Sequence, residues 1–142
     1  MLKFRPRSKQ EIYQRLKKRK FSDRIIREVV DFLEKEGFID DLAFARIWAE
    51  SRAKKPYGPL KIKQELILKG VDKNIIEAQL DEVKKKHPEE DCIREIIQNK
   101  LKRAKGCDSF SFKRRIYGYL LRRGFSPGAV NDVLGGLCKR IN

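Results

Sequence analysis

The sequence is poor in the residues that most often do chemistry. It has one histidine, His87, and three cysteines, Cys92, Cys107 and Cys138, among 142 residues. An odd number of widely separated thiols leaves one over from any disulfide, and no C-x-x-C pair offers the spacing of a metal clamp. A zinc site on His87, Cys92 and Cys107 would still want a fourth ligand and a recognised spacing. The cysteines therefore read as reduced structural thiols, and His87, ahead of Pro88, as a cap or turn residue at a helix break. No phosphate-binding Gly-rich loop follows a strand, and no nucleophile has a base beside it in a familiar arrangement. The expectation is a protein that is not an enzyme and uses no cofactor or metal. Nor does any apolar run approach the roughly 18 residues of a membrane span. The basic opening MLKFRPRSKQ is not followed by the apolar core of a secretion signal, so the expected location is the cytoplasm, with no membrane partner.

Positive charge is what the sequence has in excess. Lys and Arg number 35 against 20 Asp and Glu, a net charge of +15, with 39% charged and 40% hydrophobic residues. That balance fits a soluble, basic, globular chain of about one ordinary domain's length. The excess is larger in residues 1–56 and 107–142 than in the middle.

A repeat organises the chain. IYQRLKKRKFSDRIIREVVDFL from Ile12, IKQELILKGVDKNIIEAQLDEV from Ile62 and IYGYLLRRGFSPGAVNDVLGGL from Ile116 align without a gap. Ile12, Ile62 and Ile116 each stack with a leucine one helical turn on, Leu16, Leu66 and Leu120. Phe21, Val71 and Phe125 follow, then the N-cap candidates Ser22, Asp72 and Ser126, with Pro127 at a favoured first helical position. The helix that starts there carries a stripe at helical spacing, expected to be buried. It is Ile25, Ile26, Val29, Val30 and Leu33 in the first copy, Ile75, Ile76, Leu80 and Val83 in the second, and Ala129, Val130, Val133, Leu134 and Leu137 in the third. At ~1.5–3 kcal/mol for each fully buried large aliphatic side chain, burial of such a stripe outweighs helix propensity.

Two leader helices precede the later copies. DDLAFARIWAESRAKK has an acidic start, carries Phe44, Ile47 and Trp48 on one side, and stops at Pro56. EEDCIREIIQNKLKRAKG follows Pro88 with Ile93, Ile96, Ile97 and Leu101. The adjacent carboxylates Asp40 and Asp41 suit a helix N-terminus better than a metal or acid-base pair. Ahead of the capping-box pattern Ser8 to Glu11 stands only MLKFRPR, too short for a leader of the same kind. The fold class expected is all-α: tandem three-helix repeats forming an elongated, curved protein, with the first repeat lacking most of its leading helix. The repeats are expected at 1–39, 40–88 and 89–142, in eight helices with at most a stub of a ninth, along a continuous apolar spine.

The cations gather on the other side of the hairpins. In FKRRIYGYLLRRG the apolar face leaves Arg115 and Arg122 together, with Gly118 between them where a partner could come close. RLKKRK exposes Arg15, Lys18 and Arg19 in the same way. Such a face can be a merely solvated surface, a seat for a polyanion, or a match for an acidic groove on another protein. Tyr13 and Tyr117 occupy equivalent places where they could stack on bases or pack on a neighbouring helix. The hairpins have the outline of a helix-turn-helix. Yet the turns SDRIIRE, DKNIIEA and SPGAVND offer acids and few base readers, which argues against sequence-specific readout.

Residues 37–71, GFIDDLAFARIWAESRAKKPYGPLKIKQELILKGV, closely resemble the signature of the RecX family, bacterial regulators of the RecA recombinase. The likeness rests on the Gly-hydrophobic-Asp-Asp turn, Phe44 with Ala45, Arg52, Gly58-Pro59, Ile62, Glu65-Leu66 and Lys69-Gly70. RPRSKQEIYQRL and RRIYGYLLRRGFS are similar to the family's first and third units. The resemblance implies tandem three-helix repeats that restrain RecA filaments on single-stranded DNA, lowering ATP hydrolysis, strand exchange and coprotease activity from the filament's groove. It implies structural roles for Asp40 and Asp41 as caps, Gly37 and Gly70 at turns and Gly58-Pro59 at a helix start. Arg52, Lys61 and Lys69 become contact candidates beside Arg15, Lys18, Arg19, Arg115 and Arg122. The short N-terminus departs from the family pattern. A monomer is expected, with possible direct contact to the DNA backbone. The alternative is a general nucleic-acid-binding helical protein that acts by competing for DNA.

Overall fold

The structure, a computed structural model, describes residues 7–103 and 109–141, with side chains as far as residue 136. The described residues form eight helices and no strand: α1 (Lys9–Lys18), α2 (Asp23–Lys35), α3 (Asp41–Lys54), α4 (Pro59–Leu68), α5 (Lys73–Lys86), α6 (Glu89–Arg103), α7 (Ser109–Arg122) and α8 (Pro127–Ile141). Their starts are fixed by groups that satisfy the first unpaired N–H groups of a helix. Ser8 and Glu11 close a capping box on α1, Ser22 accepts from the Ile25 N–H, and Asp40 accepts from Leu42 and Ala43. Asp72 accepts from Asn74, and Ser126 from Ala129 just ahead of Pro127. The hairpin turns pass through the left-handed region at Gly70 (φ 77°) and Gly124 (φ 92°). At the equivalent turn of the first hairpin Lys20 adopts φ 67°, a strained conformation for a residue with a side chain.

The hairpins α1–α2, α4–α5 and α7–α8 each pack internally, and the leaders add a third helix: α3 lies on α4 and α5, and α6 on α8. Ile12, Ile62 and Ile116 are all fully buried, each within its own unit. The continuous spine expected from the repeat is not what forms. Three separate apolar cores do, one around Ile12 and Ile26, one around Phe44, Ile62 and Ile76, and one around Ile97, Ile116 and Val130.

A second expectation also fails. Ile25 and Val29 are 48% and 37% exposed, although the helical period places them on the stripe. No described helix covers that side of α2, whereas Val133, the equivalent of Val29 on α8, is 5% exposed in the unit where α6 packs on α8. Ile47 and Leu101 on the leaders are likewise half-exposed.

The units meet through main chain and polar groups. The Gly58 N–H at the start of α4 donates to the Arg123 carbonyl at 2.8 Å, and the Leu60 N–H to the Gly124 carbonyl at 3.0 Å. Backbone approach is so close that a Cβ on Gly58 would lie 2.4 Å from the Gly124 carbonyl group and the Phe125 nitrogen. One on Gly124 would lie 2.4 Å from the Lys61 nitrogen. The other joint uses the equivalent positions. Fully buried Ser8 donates its hydroxyl to the Lys69 carbonyl at 2.7 Å while accepting from the Glu11 N–H. The Lys9 N–H donates to Asp41 Oδ1 at 2.9 Å. So the C-terminal end of α7 meets the start of α4, and the C-terminal end of α4 meets the start of α1. Unpaired carbonyls and unpaired N–H groups satisfy each other.

Gly58→Ala and Gly124→Ala should each lower stability by about 2 kcal/mol or more in thermal melts, because rigid backbone stands where the methyl would go. Gly128, where a Cβ would have nothing within 4 Å, is the control: Gly128→Ala should hold or gain up to ~1 kcal/mol. Burial holds the Asp41 carboxyl above its ordinary value, Lys9 opposing through a hydrogen bond and its charge. A raised folded pKa means that ionised Asp41 penalises the fold, and the penalty lifts as pH falls through that pKa. Asp41→Asn should therefore melt at or above the parent at pH 7, the difference closing on acidification.

Candidate binding surface

Six of the eight sequence-predicted cations fall into two hollows. The first, about 430 Å³, lies between units one and two and brings together Arg15 and Lys18 from α1, Arg52 from α3 and Lys69 after α4. Its floor is Trp48, a core-side residue by its contact with Phe44. Glu65 Oε2 accepts from Trp48 Nε1 at 2.8 Å and pairs with Arg52 Nε at 2.8 Å. The Arg52 guanidinium also sits 4.8 Å from the Trp48 ring centroid and 5.1 Å from that of Tyr57. Lys69 Nζ lies 5.2 Å from the Trp48 centroid and 3.5 Å from Glu11 Oε2. Arg52 and Lys69 are thus held by carboxylates and an aromatic face, and Arg15 and Lys18 stand exposed around them. Arg19 is exposed at the C-cap of α1 and lines neither hollow.

The second hollow, about 890 Å³, belongs to unit three. Lys100 and Arg103 reach it from the last turn of α6, and Arg114, Arg115 and Arg122 from α7. None of its described lining residues is acidic. The gap foreseen over Gly118 is crossed by Arg122 itself, whose Nη1 would lie 3.2 Å from a Cβ there. Lys100 Nζ lies 3.9 Å from the Tyr119 centroid.

Lys61 is in neither hollow. It is half-buried, with its backbone pressed against Gly124 at the joint of units two and three. Arg123 was not foreseen from the sequence. Its guanidinium lies 4.3 Å from the Tyr57 centroid and 5.5 Å from that of Tyr119, and Nη2 donates to the Lys55 carbonyl at 3.1 Å. The repeat alignment held the signal, since Arg123 stands where Lys69 does, just before the turn glycine.

Among the described residues no group of three or more His, Cys, Asp or Glu could hold a metal ion, and no helix is long and apolar enough to cross a membrane. His87 caps α5 through its N–H to the Val83 carbonyl. Burial, then the nearby carboxylates of Glu95, Asp91 and Glu89, pushes the Cys92 thiol up and keeps it protonated. Cys107 and the side chain of Cys138 lie outside the described residues.

Three family domains match in series: the first three-helix domain of RecX over residues 1–33, the second over 40–80 and the third over 88–134. The regulatory protein RecX of Chlorobium phaeobacteroides is 32% identical over 92% of this chain and 83% of its own length. That of Prosthecochloris aestuarii is 34% identical over 96% and 87%. The chain belongs to the RecX family. Against the regulatory protein RecX of Clostridium acetobutylicum it is 31% identical over 90% of its length but spans only 61% of that relative. The crystal structure of RecX from Lactobacillus salivarius shares the fold, with a TM-score of 0.80, covering 96% of this chain and 88% of that one at 23% identity. For this RecX-family chain the tandem three-helix, all-α architecture expected from the repeat is the observed one.

The two kinds of cation in the first hollow should respond differently to substitution. Glu65→Ala strands Arg52 and the Trp48 N–H and should cost about 2–3 kcal/mol in denaturant unfolding. The double variant Arg15→Ala, Lys18→Ala should stay within about 0.5 kcal/mol of the parent.

Proposed function

We propose that this chain is a non-catalytic regulator that binds RecA nucleoprotein filaments on single-stranded DNA and lowers their ATPase, recombinase and coprotease activity. The run of three family domains along one chain carries this reading. The relatives are named regulatory proteins and no more than that. The charge pattern supports it, because exposed cations on a rigid frame speed encounter with an anionic assembly and set orientation. Arg15, Lys18, Arg19, Arg115 and Arg122 are the proposed contacts, and Arg52, Lys61 and Lys69 are proposed to hold the surface in shape. The partner implies the cytoplasm as the working compartment.

The unit-three hollow favours a second reading. Five cations line one hollow there, which suits phosphates, so a general nucleic-acid-binding protein competing for the strand has its own support. Titration into RecA hydrolysing ATP on single-stranded DNA separates the two. Inhibition well below one copy per RecA, unrelieved by added free DNA, is the result expected for filament binding. Inhibition that disappears with excess strand would transfer the assignment to the second reading. Arg115→Glu with Arg122→Glu should weaken inhibition about ten-fold or more, ~1.4 kcal/mol. Unchanged inhibition by that variant would remove both residues from the contact surface.

A further inference from the structure

Units two and three meet across a thin seam. The closely packed helix pairs of the described residues all lie within one unit. Two attachments join these units. One is the chain itself at His87 and Pro88, between α5 and α6. The other is the Gly58 and Leu60 N–H groups donating to the Arg123 and Gly124 carbonyls. A cavity of about 610 Å³ lies between the units, walled by Pro56 and His87 on one side and by Cys92 and Tyr119 on the other. Two attachments act as a hinge: they fix where the units meet but leave rotation about the line that joins them, and the cavity leaves room for it.

The side chain of Arg123 adds a third attachment. From unit three its guanidinium reaches to 4.3 Å from the Tyr57 centroid of unit two, and Nη2 donates to the Lys55 carbonyl at 3.1 Å. On its own side it lies 5.5 Å from the Tyr119 centroid. Its Nε is buried and meets no hydrogen-bond acceptor among the described residues. A buried, unpaired N–H costs stability, so the contacts with the rings and the carbonyl must outweigh it. The ring contacts continue on both sides. Arg52 of the first hollow lies 5.1 Å from the Tyr57 centroid, and Lys100 of the second lies 3.9 Å from that of Tyr119. Cations and rings thus alternate from one hollow to the other with Arg123 at the middle of the run, while neither Tyr57 nor Arg123 lines either hollow.

We propose that Arg123 is the positioning residue of this seam. Held on Tyr57 and Tyr119, it sets the angle between units two and three and so the spacing of the two hollows. The consequence for binding rests on the filament reading: a partner with a fixed repeat is gripped by both hollows at once, and a frame that holds their spacing binds it more tightly than one that swings.

Residual dipolar couplings of the backbone amides, measured on the full chain without RecA or DNA, read the angle directly. Units two and three of the parent should fit a single alignment tensor. Arg123→Met keeps the main-chain bonds of the turn and removes the cation. The two units should then fit tensors of different magnitude, with helical circular dichroism unchanged. Tyr57→Leu should do the same, and Tyr57→Phe, which keeps the ring, should behave as the parent. The Arg123 Nε–H resonance of the parent keeps the test decisive if a variant does not fold. It should show nuclear Overhauser contacts with the Tyr57 ring and exchange with water roughly ten-fold or more slowly than that of exposed Arg24. A single tensor retained by both Arg123→Met and Tyr57→Leu would overturn the proposal, as would an Arg123 Nε–H that exchanges like an exposed one. Inhibition of RecA ATPase on single-stranded DNA reads the consequence. Arg123→Met should weaken it about ten-fold, and Tyr57→Leu, which leaves the net charge at +15, should weaken it as much. Inhibition equal to the parent's from a chain whose units swing would overturn the link to binding. A parent that does not inhibit would sink the regulator reading and leave the dipolar-coupling result standing.

Discussion

The close approach of Gly58 and Gly124 is the constraint on which the arrangement of the chain depends. Two main-chain hydrogen bonds cross there at a separation that leaves no room for a Cβ on either residue. Glycine is required by space at Gly58, and by both space and a left-handed backbone at Gly124. The equivalent joint between units one and two spends a serine hydroxyl where the other spends a backbone amide, and ends on the Lys69 carbonyl where the other ends on that of Arg123. A helix start and a helix end each leave groups unpaired, so joining one to the other satisfies both at once. With contacts this specific, the units need share no apolar surface to hold their relative positions, and the three cores stay separate.

Separate cores have a consequence for dynamics. Each unit buries its own stripe, so opening one does not by itself expose the apolar core of the next, and opening by units is favoured over a single cooperative event. Among the described residues the unit-one cluster is the smallest of the three. The carboxylates of Asp41 and Glu11, bonded to α1 and Lys69 respectively, tie it to its neighbour.

Much of this was legible in the sequence because caps and apolar periods are local. Ser22, Asp72, Ser126 and Asp40 cap the helices they were read to cap, and the repeated isoleucines are buried alike. What escaped depends on contacts between distant segments. A helical period says that Ile25 and Val29 share a face but not whether another helix lies over it. Gly58 reads as a helix start from its place before Pro59, while its contact with Gly124 is invisible along the chain. Arg123 escaped for the same reason, since its aromatic partners Tyr57 and Tyr119 come from different units.

The two basic hollows also looked alike from the sequence and differ in physics. In the first, Glu65 and Glu11 stand among the cations, and the energy of bringing Arg52 and Lys69 close is largely recovered inside the protein. Such a cluster is a seam between units first and a binding surface only at its rim. In the second, Lys100, Arg103, Arg114, Arg115 and Arg122 converge with no described carboxylate on the wall. Holding like charges together works against folding, and salt or an anionic partner relieves it. Among the described residues, then, the first hollow pairs two of its cations with carboxylates, while the second gathers its cations along the helices of one unit.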